Sequence, residues 1–408
     1  MKAARPYPIV TITPKGERAI VDGHPWVYEG EVVSVSGTPE DGGLVDVVSK
    51  KGSWLGCGFY NSASKIRVRL VTRNANDDPA GDAFWERRLR YAWDYRKTVM
   101  GAADSRCCRI IFGEADGFPG LTVDRFERVL VAQVLSLGME RIKERVLPLL
   151  VRILREDGQV IRGVYERNDA ALRTLEGMAQ GKGWLVLPGE AAPEGTAEDI
   201  TENGIRYTVD FENGQKTGFF LDQKYNRQAV ARLARGKTVL DCFTHTGSFA
   251  LNAARGGAKH VTAVDVSDFA VACARENAAR NGLESVVDCV SANVFDLLPR
   301  LQKGQYDFII LDPPAFTKSR QTTRRAMAGY KEINYRAMRL LPRGGYLATC
   351  SCSHFATEEL FRKMLRDAAH DAGVQLRQIE ARQQAADHPI LWGVEETSYL
   401  KFYLFQVV

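Results

Sequence analysis

One stretch of the chain, residues 238–265, constrains the fold more than any other. It opens with the short apolar run Thr238–Cys242, passes through a polar turn into a helical run, and ends with a second apolar run, His260–Asp265. A strand, a helix and a second strand within about 30 residues form the pattern of a βαβ unit. Apolar and helical runs alternate from here towards the end of the chain, which predicts an open, doubly wound α/β sheet.

The turn after the first strand of this unit lacks the Gly-x-Gly-x-x-Gly pattern of nicotinamide enzymes. An acid lies at the end of each strand, and a carboxylate at the end of a second strand suits a ribose diol, while turn amides and a helix N-terminus suit an anionic group. S-adenosylmethionine offers both groups, and the arrangement resembles the pocket of class I methyltransferases. An unused crevice in an ordinary doubly wound domain is the alternative. The cofactor-binding residues predicted here are Asp241, Phe243, Thr246, Gly247 and Asp265.

Composition narrows the class of protein. The 408 residues are 45% hydrophobic and 26% charged, with a net charge of +5, which are values typical of a globular protein. No run approaches the roughly 18 apolar residues of a membrane span, and the residues after Met1 lack the apolar region of a signal peptide. The eight cysteines are scattered, which indicates reduced thiols. We therefore predict a cytoplasmic protein of several domains with no membrane partner, and a homodimer stays open.

Residues 1–75 form the first predicted domain. They contain several short strand-like runs between Gly, Asn and Pro turns, which predict a small β-barrel or sandwich. Lys15 and Arg18, followed by Trp26 and Tyr28, resemble the opening of a PUA-type RNA-binding module, because cations pair phosphates and aromatic rings stack on bases. The alternative is that the two aromatic residues are core and the cations are solvated.

The other two predicted domains are residues 76–195, a small α+β domain, and residues 196–408, which contain the doubly wound sheet. In the α+β domain we expect Pro148 to kink or split a helix. Early in the third domain we expect a hairpin that pairs residues 205–211 with residues 218–221.

A predicted strand at residues 306–311 is followed by an Asp-Pro-Pro turn that begins at Asp312. Pro313 and Pro314 hold this turn extended, so that a carboxylate, carbonyl groups and the ring of Phe316 surround one spot. Such a spot can hold a flat base, with Phe316 on its face and Asp312 at its polar edge. Methyltransferases that act on planar nitrogen carry similar sequences. The turn alone therefore does not indicate which atom of the base is methylated.

The next predicted strand ends in two cysteines, Cys350 and Cys352, followed by His354. Strand alternation places the three on one face unless the chain turns first, with Cys352 nearer the crevice. A thiolate that adds to carbon 6 of a pyrimidine activates carbon 5 to attack a methyl group. The alternative, for Cys350 above all, is burial as a small apolar residue. No second cysteine pair completes a zinc spacing, so we expect no metal site.

Basic residues follow the Asp-Pro-Pro turn, with Glu332 as the single acid between Ala315 and Gly345. Cations beside a base pocket would neutralise phosphates that flank a flipped nucleotide, although part of the run is the solvated face of a helix. The candidate RNA-binding residues of this run are Lys318, Arg320, Arg324 and Arg325.

Five motifs together resemble the RlmI-type methyltransferases: Asn213–Gln223, the Phe243–Gly247 turn, Asp312–Phe316, Ser351–Ser353 and Gln384–Pro389. That family forms 5-methylcytosine in bacterial large-subunit ribosomal RNA. It has an N-terminal PUA domain, a central α+β domain and a C-terminal Rossmann-like methyltransferase domain. The resemblance implies that Lys216, Phe219 and Gln223 lie near the donor, that Asp265 holds its ribose and that Cys352 is the nucleophile.

The chain departs from the family pattern at the adenine side of the donor pocket. The family has Asp before an apolar residue, whereas this chain has Asn293 before Val294. The amide oxygen of Asn293 can still accept a hydrogen bond from the adenine amine. Cys350 is a second thiol besides Cys352, the one that the family motif requires. In other cytosine-5 methyltransferase families two cysteines take part in catalysis and one of them assists product release, which is the role that the comparison suggests for Cys350.

The sequence therefore predicts an S-adenosylmethionine-dependent methyltransferase that acts on ribosomal RNA at cytosine carbon 5 through Cys352, with Asp312 both at the base and among the donor-binding residues. Two alternatives stay open. One is an enzyme with the same donor that methylates a base nitrogen, and the other is an RNA-binding ribosome-assembly factor without catalytic activity.

Overall fold

A computed structural model of the protein describes residues 5–317 and 319–408. The chain forms two compact units, and the first consists of the residues up to Ile200, Thr208–Leu221 and Ala386–Thr397. The second consists of Thr201–Tyr207, Asp222–Ala385 and Ser398–Val408. The chain thus returns to the first unit near its end, a long-range connection that the three contiguous predicted domains did not include. Among the described residues, no helix combines the length and apolar character needed to cross a membrane.

The N-terminal part of the first unit is a six-stranded sheet in the order β2-β6-β5-β4-β1-β3. Its alternating apolar residues, such as Val10, Val45 and Val68, are fully buried, as expected for a sheet with one face on a core. The sequence did not predict its helix, which begins after Thr13, whose hydroxyl accepts a hydrogen bond from Gly16 N. The elements are β1 (Ile9–Ile12), α1 (Pro14–Val21), β2 (Trp26–Tyr28), β3 (Val32–Ser36), β4 (Leu44–Ser49), β5 (Trp54–Tyr60) and β6 (Ile66–Thr72).

A second sheet of the first unit has the order β11-β10-β9-β8-β7. The helix that contains Pro148 continues as a single element on both sides of the proline, so the predicted split is wrong. Its buried stripe, which includes Val146, Leu150 and Leu154, explains why tertiary packing outweighs the lost hydrogen bond. The elements are α2 (Asp82–Asp104), β7 (Cys107–Phe112), β8 (Leu121–Phe126), β9 (Val129–Val134), α3 (Leu137–Glu156), β10 (Gly163–Asn168), α4 (Leu172–Leu175) and β11 (Gly181–Leu185).

A hairpin of β12 (Ala197–Glu202) and β13 (Ile205–Asp210) follows. The predicted pairing of residues 205–211 with residues 218–221 is therefore wrong. Asn203 and Gly204, with φ values of 55° and 74°, form the tight connection, and an Asn-Gly pair with positive φ is a strong hairpin signal.

The second unit contains a seven-stranded sheet in the order β16-β15-β14-β17-β18-β20-β19. Its first five strands are parallel and β20 is antiparallel to both neighbours, which confirms the doubly wound sheet. The strands are β14 (Thr238–Cys242), β15 (His260–Asp265), β16 (Val287–Ser291), β17 (Phe308–Leu311), β18 (Tyr346–Ser351), β19 (Leu376–Arg382) and β20 (Lys401–Val407). The helices are α5 (Lys224–Leu233), α6 (Ser248–Arg255), α7 (Asp268–Arg280), α8 (Val294–Leu297), α9 (Thr323–Leu340) and α10 (Glu358–Ala372).

The strand order of this sheet reverses at β14. The chain runs outward from β14 through β15 to β16 and then returns to β17 on the other side of β14. In open α/β sheets, ligands bind at such a switch point, outside the carboxyl ends of the strands. The residues that follow the parallel strands therefore form the candidate site.

Candidate active site at the carboxyl ends of the parallel strands

The turn between β14 and α6 has an unusual backbone. Phe243, His245 and Gly247 have φ values of 64°, 51° and 82°. Left-handed conformations at non-glycine residues cost free energy and cluster at ligand sites. At Gly247 a Cβ atom would lie 3.1 Å from the Cβ atom of Ala274, so glycine is required by both conformation and space.

Asp241 lies at the end of β14 and is fully buried. Its Oδ2 atom accepts hydrogen bonds from the Thr244 hydroxyl at 2.5 Å and from Ala250 N at 2.9 Å. Its Oδ1 atom and the hydroxyl of Thr246 are buried without a hydrogen-bond partner among the described residues. Burial raises the pKa of Asp241 to about 7. Asp241 Oδ1 and the Thr246 hydroxyl, near the end of β14, can therefore form hydrogen bonds with a ligand that carries donor groups.

Asp265 lies at the end of β15. Its two carboxylate oxygens accept hydrogen bonds from His245 N at 2.9 Å and from Ser267 N at 3.0 Å. These bonds fix the carboxylate, and each oxygen keeps a further lone pair for a ligand hydroxyl. The geometry suits a vicinal diol.

Asn293 begins α8 after β16, and its Oδ1 atom accepts a hydrogen bond from Phe295 N at 3.0 Å. Capping the helix uses one lone pair of this oxygen and leaves one for a ligand amine. Val294 is buried directly after it and offers an apolar contact. Their roles at the donor stay predictions.

Asp312 follows β17 and accepts a hydrogen bond from Gln223 Nε2 at 3.0 Å. Burial, and then the nearby charge of Asp222, raise the pKa of the Asp312 carboxyl to about 6, while hydrogen bonds from Gln223 and the Cys350 thiol act in the opposite direction. The carboxyl group is thus ionised at neutral pH and gains a proton under mildly acidic conditions.

A chain of hydrogen bonds fixes the orientation of Gln223. Arg382 Nε donates to Asn226 Oδ1 at 3.0 Å, and Asn226 Nδ2 donates to Gln223 Oε1 at 2.6 Å. A guanidinium can only donate, so the amide oxygen of Asn226 faces Arg382, and the amide nitrogen of Gln223 is left to face Asp312. The sequence did not predict Arg382 or Asn226, which lie 156 positions apart.

The two cysteines at the end of β18 lie in different environments. The strand ends at Ser351, so the predicted alternation does not extend to Cys352 and His354. Cys350 is fully buried and burial raises its pKa well above the ordinary value, whereas Cys352 is partly exposed and His354 is exposed. Cys352 is therefore the more accessible thiol.

Lys401 is a further residue of this site that the sequence did not predict. It pairs with Ser351 across the antiparallel β18 and β20, and its Nζ atom donates to Ser353 O at 2.7 Å. Burial lowers the pKa of Lys401 to about 8, and the charge of Cys352 acts in the opposite direction. The ammonium group is thus mostly charged at neutral pH and is coupled to the Cys352 thiol.

The rest of the Asp-Pro-Pro turn leads into a cluster of aromatic rings. Pro313 is buried and Pro314 is exposed. The ring of Phe316 is partly exposed and lies 4.6 Å from that of Tyr330 and 5.9 Å from that of Phe295, measured between centroids. These contacts hold the Phe316 ring in place and leave part of its surface open.

Two predicted donor-binding residues, Lys216 and Phe219, belong to the first unit. Lys216 has a φ of 51°, and its Nζ atom lies 4.9 Å from the ring centroid of Phe220. Phe219 is 5% exposed. Their role at the donor stays a prediction.

The predicted RNA-binding cations lie on the surface of each unit. In the first unit, Lys15 and Arg18 are on α1, and the Lys15 side chain is 87% exposed. In the second unit, three exposed arginines form no ion pair with any described residue: Arg320, Arg324 and Arg325. Lys318 lies outside the described residues.

Two family models match the chain. Residues 10–73 match a PUA-like domain, and residues 183–406, more than half of the chain, match an S-adenosylmethionine-dependent methyltransferase. The fold is similar to that of a Streptococcus mutans protein described as a candidate SAM-dependent methyltransferase, with a TM-score of 0.80 and 22% identity over 98% of this chain and 99% of that one. A methyltransferase structure complexed with SAH has a TM-score of 0.81 at 21% identity, with the same coverage of both chains. S-adenosylmethionine is thus the cofactor of the domain that contains residues 183–406.

Curated relatives called Ribosomal RNA large subunit methyltransferase I are similar over nearly their whole length. The protein of Klebsiella pneumoniae (strain 342) is 38% identical over 405 residues, which cover 98% of this chain and 99% of the relative. That of Aeromonas salmonicida (strain A449) is 40% identical over 388 residues, which cover 94% and 96%. This chain therefore belongs to the family of the Ribosomal RNA large subunit methyltransferase I proteins.

Proposed function

We propose that this protein methylates carbon 5 of a cytosine in large-subunit ribosomal RNA through a covalent adduct with Cys352. The observation that carries the proposal is the partly exposed Cys352 at the carboxyl end of β18, next to the strand that presents Asp312, while Cys350 is buried. The names of the relatives support large-subunit ribosomal RNA as the substrate, and such a substrate supports a cytoplasmic location.

The residues at the switch point fit the donor. Asp265 would hold the ribose diol, the unpaired oxygen of Asp241 would accept from a donor group of the methionine portion, and Asn293 would accept from the adenine amine. S-adenosylmethionine supplies an electrophilic methyl group. The positive φ of Gly247 lets the turn approach such a ligand closely.

The proposed reaction passes through a covalent adduct. The Cys352 thiolate forms a bond to carbon 6 of the cytosine, and the electron pair displaced onto carbon 5 forms a bond to the methyl group, whose bond to the donor sulfur breaks and leaves its electron pair on that sulfur. A base removes the carbon 5 proton, the electrons of that bond restore the ring double bond, and the sulfur leaves as a thiolate. Asp312 accepts a hydrogen bond from the exocyclic amine of the cytosine, which a carboxylate is suited to do.

The basic surface residues support RNA as the substrate. Arg320, Arg324 and Arg325 follow the base-binding turn, and their guanidinium groups form no ion pair with any residue that the structure describes. They are available to pair phosphates that flank the target nucleotide.

The deciding experiment is to incubate the protein with labelled S-adenosylmethionine and unmodified bacterial large-subunit ribosomal RNA, digest the RNA and identify the methylated nucleoside by mass spectrometry. We expect 5-methylcytidine. A methylated guanosine or adenosine would exclude the thiol mechanism and favour a nitrogen methyltransferase. No methylated nucleoside, with the donor bound and the RNA bound, would favour an assembly factor.

Replacing Asp265 with alanine should weaken donor binding about tenfold or more, because the ribose loses a hydrogen bond to a charged group. Isothermal titration calorimetry with S-adenosylmethionine measures the change. Asp288→Asn is the matched control, since Asp288 lies on the neighbouring β16 with a side chain that is 70% exposed. Equal affinities for the two variants would contradict the assignment of Asp265 to the donor.

Replacing Lys401 with methionine should slow alkylation of Cys352 by iodoacetamide about tenfold at neutral pH, because a nearby ammonium group favours the thiolate. Peptide mass spectrometry reports the labelling of this cysteine separately from the others. Lys363→Met, at an exposed position of α10 that pairs with Asp367, removes the same charge at another place. A similar labelling rate in both variants would show that Lys401 does not activate the thiol.

A further inference from the structure

The first unit contains a cavity of about 520 Å³ that none of the predicted site residues lines. Helix α2 lines it with Arg87, Arg88, Tyr91 and Tyr95, and residues outside α2, among them Asp77 and Asp116, complete the lining. Its size is within the range of small-ligand pockets and is sufficient for a nucleotide.

Arg88 differs from Arg87, the other cation of the lining, in having no carboxylate partner among the described residues. Its guanidinium donates to Gly117 O at 2.8 Å and lies 4.3 Å from the ring centroid of Phe84, and it forms no ion pair with any described residue. Burial lowers its pKa to about 10, so it stays charged at neutral pH. A partly buried cation without a carboxylate partner is costly unless an anion is supplied from outside.

Neither carboxylate of the cavity forms an ion pair with Arg88, because each already has a closer partner. Asp77 pairs with Arg87 at 2.8 Å, and Asp116 pairs with the buried Arg96 through both of its oxygens, at 2.6 and 2.8 Å. When the buried Arg96 is counted with the four charged residues of the lining, three arginines face two aspartates, and the one positive charge in excess is complementary to one phosphate group.

Two tyrosines lie one helical turn apart beside this cation. Tyr91 is 64% exposed, and Tyr95 is 38% exposed with its hydroxyl held by Ala386 O at 3.0 Å. Exposed rings beside an arginine are the combination that binds single-stranded nucleic acid, since bases stack on the rings and the cation pairs the backbone.

We propose that this cleft binds one nucleotide of a single-stranded segment of the RNA substrate, with a phosphate at Arg88 and a base against Tyr91 and Tyr95. This inference rests on the proposed function only in taking RNA as the substrate. The cleft adds an RNA-binding position on α2 to those predicted on α1 and around α9.

The test compares the wild type with Arg88→Gln, Tyr91→Ala and Tyr91→Phe, measuring affinity for protein-free large-subunit ribosomal RNA at several salt concentrations without donor. Arg90→Gln is the matched control, because Arg90 is a neighbouring exposed cation of α2 that pairs with Glu86 and Glu156 and does not line the cavity. Gln at position 88 keeps an N–H group for Gly117 O, and thermal unfolding and calorimetry with the donor check that each variant is folded.

We expect Arg88→Gln to weaken binding about tenfold and to reduce the slope of log affinity against log salt by about one, as the loss of one phosphate contact requires. Tyr91→Ala should weaken binding about fivefold or more with little change in slope, and Tyr91→Phe should bind like the wild type. Equal slopes for Arg88→Gln and Arg90→Gln, together with wild-type affinity of Tyr91→Ala, would overturn the proposal. If Arg88→Gln does not fold, the two Tyr91 variants decide by themselves.

The proposed chemistry and the cleft fail in different ways. If the wild type forms 5-methylcytidine while Tyr91→Ala binds RNA normally, the cleft is wrong and the proposed function stands. If the variants lose RNA affinity as expected but the wild type forms no 5-methylcytidine, the cleft stands and the chemistry is wrong. An effect seen only with assembled ribosomal particles and not with naked RNA would point to a protein partner and overturn the proposal.

Discussion

Replacing Cys352 with alanine should abolish methyl transfer, with a loss of about 10³-fold or more, as expected when a nucleophile is removed from a site that depends on it. The substitution removes the sulfur that forms the bond to carbon 6, and carbon 5 then keeps its poor nucleophilicity. Because Cys352 lies after the last residue of β18 and is partly exposed, the change should cost little stability. The measurement is single-turnover formation of 5-methylcytidine, with donor affinity followed by calorimetry.

Cys273→Ala is the control for this variant, because Cys273 is also partly exposed but lies on α7. We expect wild-type activity from it. Ribosomal RNA that carries 5-fluorocytosine supplies an independent readout, since fluorine at carbon 5 leaves no proton to remove and traps the adduct. A protein–RNA band should appear in a denaturing gel with the wild type and not with Cys352→Ala. Full activity of Cys352→Ala would exclude covalent catalysis.

Replacing Asp312 with asparagine should lower the rate of methyl transfer about 10²-fold or more, the usual size of the contribution of a group that handles charge or protons in a transition state. Asparagine has nearly the same shape and can still accept a hydrogen bond from Gln223, so the turn should keep its conformation. The variant loses the negative charge at the polar edge of the base. The measurement is the rate at saturating donor, because Asp312 is also predicted to lie at the donor.

The pH dependence of the methyl-transfer rate distinguishes a role of the Asp312 charge in the reaction from a purely structural role. Burial raises the pKa of Asp312 to about 6, so the carboxylate form predominates above pH 6 and is lost as the pH falls through that value. Wild-type activity should therefore decline by about a further tenfold per pH unit below pH 6, beyond the decline that protonation of the Cys352 thiolate causes in both enzymes, and this further decline should be absent from the residual activity of Asp312→Asn. Asp296→Asn, at an exposed position of α8, should keep the wild-type profile. A profile of Asp312→Asn that follows the wild type would show that another group titrates.

The carboxyl ends of the strands were the part of the site that could be predicted. Asp241, Asp265 and Asp312 each close an apolar run, and parallel strands bring such ends to one edge of the sheet. The prediction for Cys350 and Cys352 was less complete, because their different exposure depends on where β18 ends. Alternation predicts the face of a residue only while the strand continues.

Lys401 and the hydrogen-bond chain from Arg382 could not be predicted, although both contact predicted residues. Lys401 reaches Ser353 because β20 pairs with β18 in antiparallel register, 48 positions apart. Arg382 orients Gln223 through Asn226 because the chain returns at the end of β19. No fixed spacing in the sequence indicates that two such distant segments will pair, because the register between distant strands depends on how whole faces of the sheet pack.

The sequence by itself determined the alternation of strands and helices, the doubly wound sheet and the acids and thiols at its carboxyl edge, because these depend on periodicity and on neighbouring residues. The tertiary structure alone decided the return of residues 386–397 to the first unit, the coupling of Lys401 to Cys352 and the cleft on α2. The physical reason is that a local pattern has a fixed period along the chain, whereas burial, excess charge and hydrogen-bond direction depend on which distant groups become neighbours in the folded protein.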